Sequence, residues 1–154
     1  MQQPVAPAGK ILVVDDNPII QRAVYFQFRE HGFKVIMASD LTESINTIRV
    51  ERPDVILLDI NFPAEGTTAG ARDGYWAIGH LRRTDDTKNI PIIVMSTAKP
   101  EEVEPRALAA GAVAFFPKPI DKDKLLAKIQ QLMADRKLQS PSPSNSTPSL
   151  RMAS

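Results

Sequence analysis

Two short apolar runs, each ending in acid, constrain this chain more than any other feature. Val55 to Leu58 gives four consecutive apolar residues after the breaker pair Pro53-Asp54. That length and composition fit a strand buried on both faces, as in a parallel sheet. Asp59 ends the run. A carboxylate directly after such a strand sits at its C-terminal end, where open parallel α/β sheets place their chemistry. Taken alone, Asp59 is equally a strand-terminating residue that caps a loop. A second run of the same kind, Ile11 to Val14, ends in the pair Asp15 and Asp16 and tips the reading toward a site.

The rest of the composition removes other function classes. With 154 residues, 43% of them apolar, the chain is one domain able to build its own core. A net charge of +1 offers no basic stripe, so neither nucleic-acid nor membrane binding is expected. There is no cysteine, hence no disulfide framework and no thiolate metal site. No apolar run approaches the roughly 20 residues of a membrane span, and MQQPVAPAGK lacks the pattern of a signal peptide. The chain reads as cytoplasmic.

Residues 1–9 are expected to be a loose arm, and the first strand is Lys10 to Val14. Asn17-Pro18 predicts a helix start, with Ile20, Val24 and Phe28 facing inward and Gly32 as the stop. A strand follows over Phe33 to Met37. Asp40 with Glu43 resembles a capping box opening a helix to about Glu51, with Leu41, Ile45 and Ile48 on its core face. After the central strand comes a long loop, Ile60 to Asp73. A third helix runs from Gly74 to Arg83 with Ile78 and Leu81 inward. The fourth strand is Ile92 to Met95, ending at Ser96 and Thr97, and a helix from Pro100 to Ala110 stops at Gly111. Ala112 to Phe116 is the last strand, closed by Pro117-Lys118-Pro119. Asp121 then caps a helix over about Lys122 to Ala134, which buries Leu125, Ile129 and Leu132. The Ser/Pro-rich residues 138–154 are expected to be disordered, leaving 10–137 as the folded unit.

Five strands alternating with five helices predict a doubly wound α/β domain with a parallel sheet. In the order 2-1-3-4-5, the first and third strands are neighbours, and Asp15, Asp16 and Asp59 converge at one edge. Two like charges about 4 Å apart cost roughly 4 kcal/mol at an effective dielectric near 20, so such a cluster must bind a cation or take up protons. Hard oxygen ligands suit Mg²⁺ better than zinc or copper.

In this order and at these strand ends, the motifs VVDDNP, LLDINFP, IPIIVMST and AFFPKP resemble the receiver domains of bacterial two-component response regulators. The likeness covers Lys10 to about Met133 and implies the flavodoxin-like fold of CheY. It implies that Asp59 accepts a phosphoryl group from a sensor histidine kinase, a phosphotransfer protein or a small phosphodonor. Mg²⁺ would be held by Asp15, Asp16, Asp59 and the backbone carbonyl of Asn61. Lys118 would place a cation on the phosphoryl group, across a peptide to Pro119 that is cis in the family. Ser96 would donate its hydroxyl to the phosphoryl group, and Phe115 would move into the space vacated; Phe116 faces the other side of the strand.

Two features depart from the family pattern. Thr97 stands where Ala is usual and narrows the approach to Asp59. Nine residues, Ala64 to Arg72, lengthen the connection before Asp73. That stretch is either a neutral surface insertion or a lid or docking element in which Arg72 pairs with the phospho-aspartate.

The expected role is therefore a single-domain response regulator that signals to a downstream protein by direct contact, with no output domain following and no enzymatic turnover. A phosphorylation-independent binding module is one alternative. An aspartate-nucleophile phosphatase is another, although Asn61 stands where a general acid would be needed.

Overall fold

The structure, a computed structural model, describes residues 8–60 and 74–139. The elements alternate strictly: β1 (Lys10–Val14), α1 (Pro18–Glu30), β2 (Lys34–Ala38), α2 (Leu41–Glu51), β3 (Val55–Asp59), α3 (Gly74–Arg83), β4 (Ile92–Ser96), α4 (Pro100–Ala110), β5 (Ala114–Pro117) and α5 (Lys122–Gln139). All strand pairs are parallel and the sheet order is β2-β1-β3-β4-β5.

Strand alternation divides the core in two. Leu12, Val14, Ile56, Leu58, Ile92 and Val94 face α2, α3 and α4, where Ile48, Ile78, Leu81, Val103 and Ala107 cover them. Ile11, Val13, Val55, Leu57, Ile93 and Met95 face α1 and α5, against Val24, Phe28, Leu125 and Ile129. Every residue of β3 and β4 is buried, which is why both read as unbroken apolar runs.

The helix starts follow their caps. The Asn17 side chain accepts from the amides of Ile19 and Ile20, with Pro18 at the first helical position. Asp40 accepts from the Glu43 amide at 2.7 Å, and Asp121 from that of Lys124 at 3.1 Å.

Several boundaries differ from expectation, and β2 to β5 each run one residue further than expected, to Ala38, Asp59, Ser96 and Pro117. Phe33 lies before β2 because its amide turns back to the Phe28 carbonyl and closes α1. Ala112 does the same to Ala107 at the end of α4, so β5 begins at Ala114. Helix α5 continues past Ala134 to Gln139, beyond the domain end expected at Lys137, since nothing in Asp135, Arg136, Lys137 and Leu138 breaks a helix. Residues 1–7, 61–73 and 140–154 lie outside the described residues, and with them most of the expected arm, tail and long loop; Ala8 and Gly9, expected in the loose arm, are tied to the fold by the Ala8 amide on the Gly32 carbonyl and the Lys34 amide on the Gly9 carbonyl. Among the described residues, no helix is long and apolar enough to cross a membrane.

Candidate functional site

The site grows out of the register of β1 against β3. Val14 pairs with Leu58, so Asp15 and Asp59, each one residue further on, lie side by side at the C-terminal edge of the sheet. Both are buried, at 0% and 3% exposure, whereas Asp16 points outward and is exposed. One carboxylate oxygen from each of Asp15, Asp16 and Asp59 falls within 4.8 Å of the others.

Lys118 comes in from the far side of the sheet. Its amide donates to the Ser96 carbonyl at 2.9 Å, which fixes the end of β5 on the end of β4. Its ammonium then lies 3.0 Å from Asp15 Oδ2 and 3.2 Å from Asp59 Oδ2, with the side chain only 7% exposed. The other oxygen of Asp15, Oδ1, accepts from the Asn17 amide at 2.8 Å. Repulsion among the three acids is thus partly offset by a buried cation and a main-chain amide. Three carboxylates against one ammonium leave two negative charges.

Ser96 closes the neighbouring strand end at 0% exposure, and its Oγ accepts from the Ala98 amide at 3.0 Å. Thr97, next in the chain, is exposed. Phe115 is half-buried and packs toward α2, α3 and α4, while Phe116 packs on the opposite face of the sheet. The Lys118-Pro119 peptide is cis. Asn61 and Arg72 lie outside the described residues.

Sequence reasoning missed Gln21. Its side-chain amide donates to the carbonyls of Asp15 and Ala38, so a side chain of α1 holds the main chain of the acidic pair. The available signal was a polar residue beside the apolar stripe of Ile20, Val24 and Phe28.

Comparison with known proteins fits this arrangement. A model of the response regulator receiver domain family matches residues 11–130. The phosphate regulon transcriptional regulatory protein PhoB of Escherichia coli K12 is 32% identical over 82% of this chain and 52% of its own length. The chain therefore spans about half of that relative. Protein PilH of Pseudomonas aeruginosa PAO1 is 30% identical over 82% of this chain and 98% of its own. Among solved structures, the receiver domain of the P. aeruginosa PAO1 sensor histidine kinase PA1611 superposes with a TM-score of 0.70 at 25% identity. It covers 82% of this chain and 98% of its own, and it carries a magnesium ion coordinated in its active-site cleft. With the family matched from the first strand into the last helix, and the sheet in the order β2-β1-β3-β4-β5, this chain belongs to the response regulator receiver domain family.

Proposed function

We propose that Asp59 accepts a phosphoryl group from a phosphohistidine on a sensor histidine kinase or phosphotransfer protein, and that the chain signals onward through protein contact. In this reaction a carboxylate oxygen of Asp59 attacks phosphorus while the bond to the imidazole nitrogen breaks. The imidazole leaves with the electron pair, and an acyl phosphate remains on Asp59. Transfer of this kind needs an aligned nucleophile and positive charge near the equatorial oxygens, with little other covalent work from the protein. The observation that carries the reading is the Lys118 ammonium, buried and 3.2 Å from Asp59 Oδ2. A fixed cation there needs no reorganisation as charge shifts during transfer.

Asp15, Asp16 and Asp59 would hold a magnesium ion. The donor set fits: all hard oxygens, with ligand atoms within 4.8 Å of one another and two negative charges left after Lys118. The magnesium in the cleft of the PA1611 receiver domain supports the same choice. Bound there, the ion would neutralise charge on the phosphoryl oxygens. Ser96 would turn its buried hydroxyl from the Ala98 amide to the phosphoryl group, drawing in the segment at Thr97 and Ala98, with Phe115 repacking behind it. The chain works here as a phosphorylated switch, not as a catalyst that turns over substrate.

Incubation with acetyl phosphate, or with a phosphorylated kinase, tests the reading by intact mass. One phosphoryl group should be gained in Mg²⁺ and none in chelator. Equal incorporation into Asp59→Asn would refute it.

A further inference from the structure

We infer that Gln21 is a positioning residue for the divalent-cation site, acting through the Asp15-Asp16 peptide; the inference rests on the function proposed above. Three hydrogen bonds form a closed loop. The Asp15 amide donates to the Ala38 carbonyl at 3.2 Å, and Gln21 Nε2 donates both to that carbonyl, at 3.4 Å, and to the Asp15 carbonyl, at 2.5 Å. Both targets are carbonyl oxygens, so only the amide nitrogen of Gln21 can face them. Gln21 itself is fixed in the first turn of α1, where its own amide donates to the Asn17 carbonyl at 3.0 Å. The carbonyl of Asp15 belongs to the peptide that leads into Asp16, and pinning it sets the direction in which Asp16 leaves the strand.

Asp16 needs this support where Asp15 does not. The Asp15 carboxylate is held from two sides, by the Asn17 amide and by Lys118. Asp16 is exposed, and among the described residues its carboxylate has no hydrogen bond or ion pair. Its carboxylate nonetheless lies within reach of the other two acids. The rigidity of that placement comes from the main chain, and the main chain is held by Gln21. Groups that orient metal ligands from behind typically change affinity by about 10- to 100-fold when removed.

Calorimetric Mg²⁺ titration of the whole chain tests this, alongside unfolding midpoints in chelator. Gln21→Met keeps the length and helix preference of the side chain and loses the donor; it should weaken Mg²⁺ binding by about tenfold. In an Asp16→Asn background the same change should matter less than about twofold, because the ligand through which Gln21 acts is gone. Gln21→Asn, which keeps the amide but is a methylene too short, carries the same expectation if the Met variant does not fold. A merely structural Gln21 would lower the chelator midpoint and leave Mg²⁺ affinity unchanged, and that result overturns the inference. An equal loss with and without Asp16 also overturns it. If the wild-type chain itself fails to bind Mg²⁺, the cation site falls and this inference with it. Wild-type binding with an unaltered Gln21→Met sinks the inference alone.

Discussion

Lys118 and Asp15 are 103 residues apart in the chain, and 3.0 Å separates the ammonium of one from Oδ2 of the other. The contact spans β1 and β5, with β3 and β4 between them in the sheet, and is almost wholly shielded from water. It makes the site a partly neutralised assembly, one ammonium against three carboxylates, and not a bare acidic pocket. Lys118→Met should therefore lower stability by about 3 kcal/mol or more in chelator, because it leaves Asp15 and Asp59 buried without their shared cation. Urea midpoints measure this, and a change below about 1 kcal/mol would show that the pair is not held together.

The same contact separates the roles of the acids in stability. Repulsion alone predicts that neutralising either Asp16 or Asp59 stabilises the metal-free protein. Lys118 reaches Asp59 but is not paired with Asp16, so the two variants should differ. Asp16→Asn removes charge repulsion and sacrifices no ion pair; it should raise stability by on the order of 1 kcal/mol after solvent screening. Asp59→Asn also loses its contact to Lys118 and should gain less. Denaturant melts in chelator decide between them, and a larger gain for Asp59→Asn would contradict the geometry.

The parts of the fold legible in the sequence were those dictated by local chemistry. VILLD and IIVMS are apolar because both faces of their strands are covered, and DDNP states its cap and helix start outright. Less legible were features that depend on where amides turn. Phe33 and Ala112 have strand-like side chains, yet their amides close the preceding helices. Ser44 is buried on α2, at 4% exposure, where a polar residue reads as surface; its hydroxyl is satisfied by the Leu41 carbonyl within the helix. At the site, the acids and Lys118 could be named from motifs. That one ammonium bridges two of the acids, and that Gln21 holds the Asp15 carbonyl at the peptide leading into Asp16, depend on register between distant strands and a helix.

Away from the site, Arg82 ties together the opposite end of the molecule. Its guanidinium donates to the carbonyls of Gly111 at 2.9 Å, Lys88 at 2.5 Å and Ile90 at 3.1 Å, joining α3, the approach to β4 and the turn after α4. Burial lowers its pKa. Arg82→Lys should cost about 2 kcal/mol, because a single ammonium cannot span carbonyls on separate segments as a planar fork does. Gly111→Ala should also destabilise, since Gly111 has φ of 124° and a Cβ there would stand 2.7 Å from Arg82 Cγ. Thermal melts report both, and a wild-type midpoint for Arg82→Lys would refute the tie.

Metal removal tests the charge count directly. With Lys118 in place the three acids retain two negative charges, and the folded site gathers them where the unfolded chain does not. Mg²⁺ should then stabilise the native state by mass action, about 2.7 kcal/mol at 100 times its dissociation constant. The variants should order themselves by the charge they leave. Asp16→Asn keeps one fewer negative charge and should bind Mg²⁺ more weakly, losing most of the stabilisation at a fixed concentration. Lys118→Met keeps one more and should bind more tightly, so the stability it loses in chelator is partly recovered when the ion is added. A midpoint series in chelator and in rising Mg²⁺ separates these cases. If Lys118→Met gained no more from Mg²⁺ than the wild type, the ammonium would not be part of the charge balance that sets the affinity of the site.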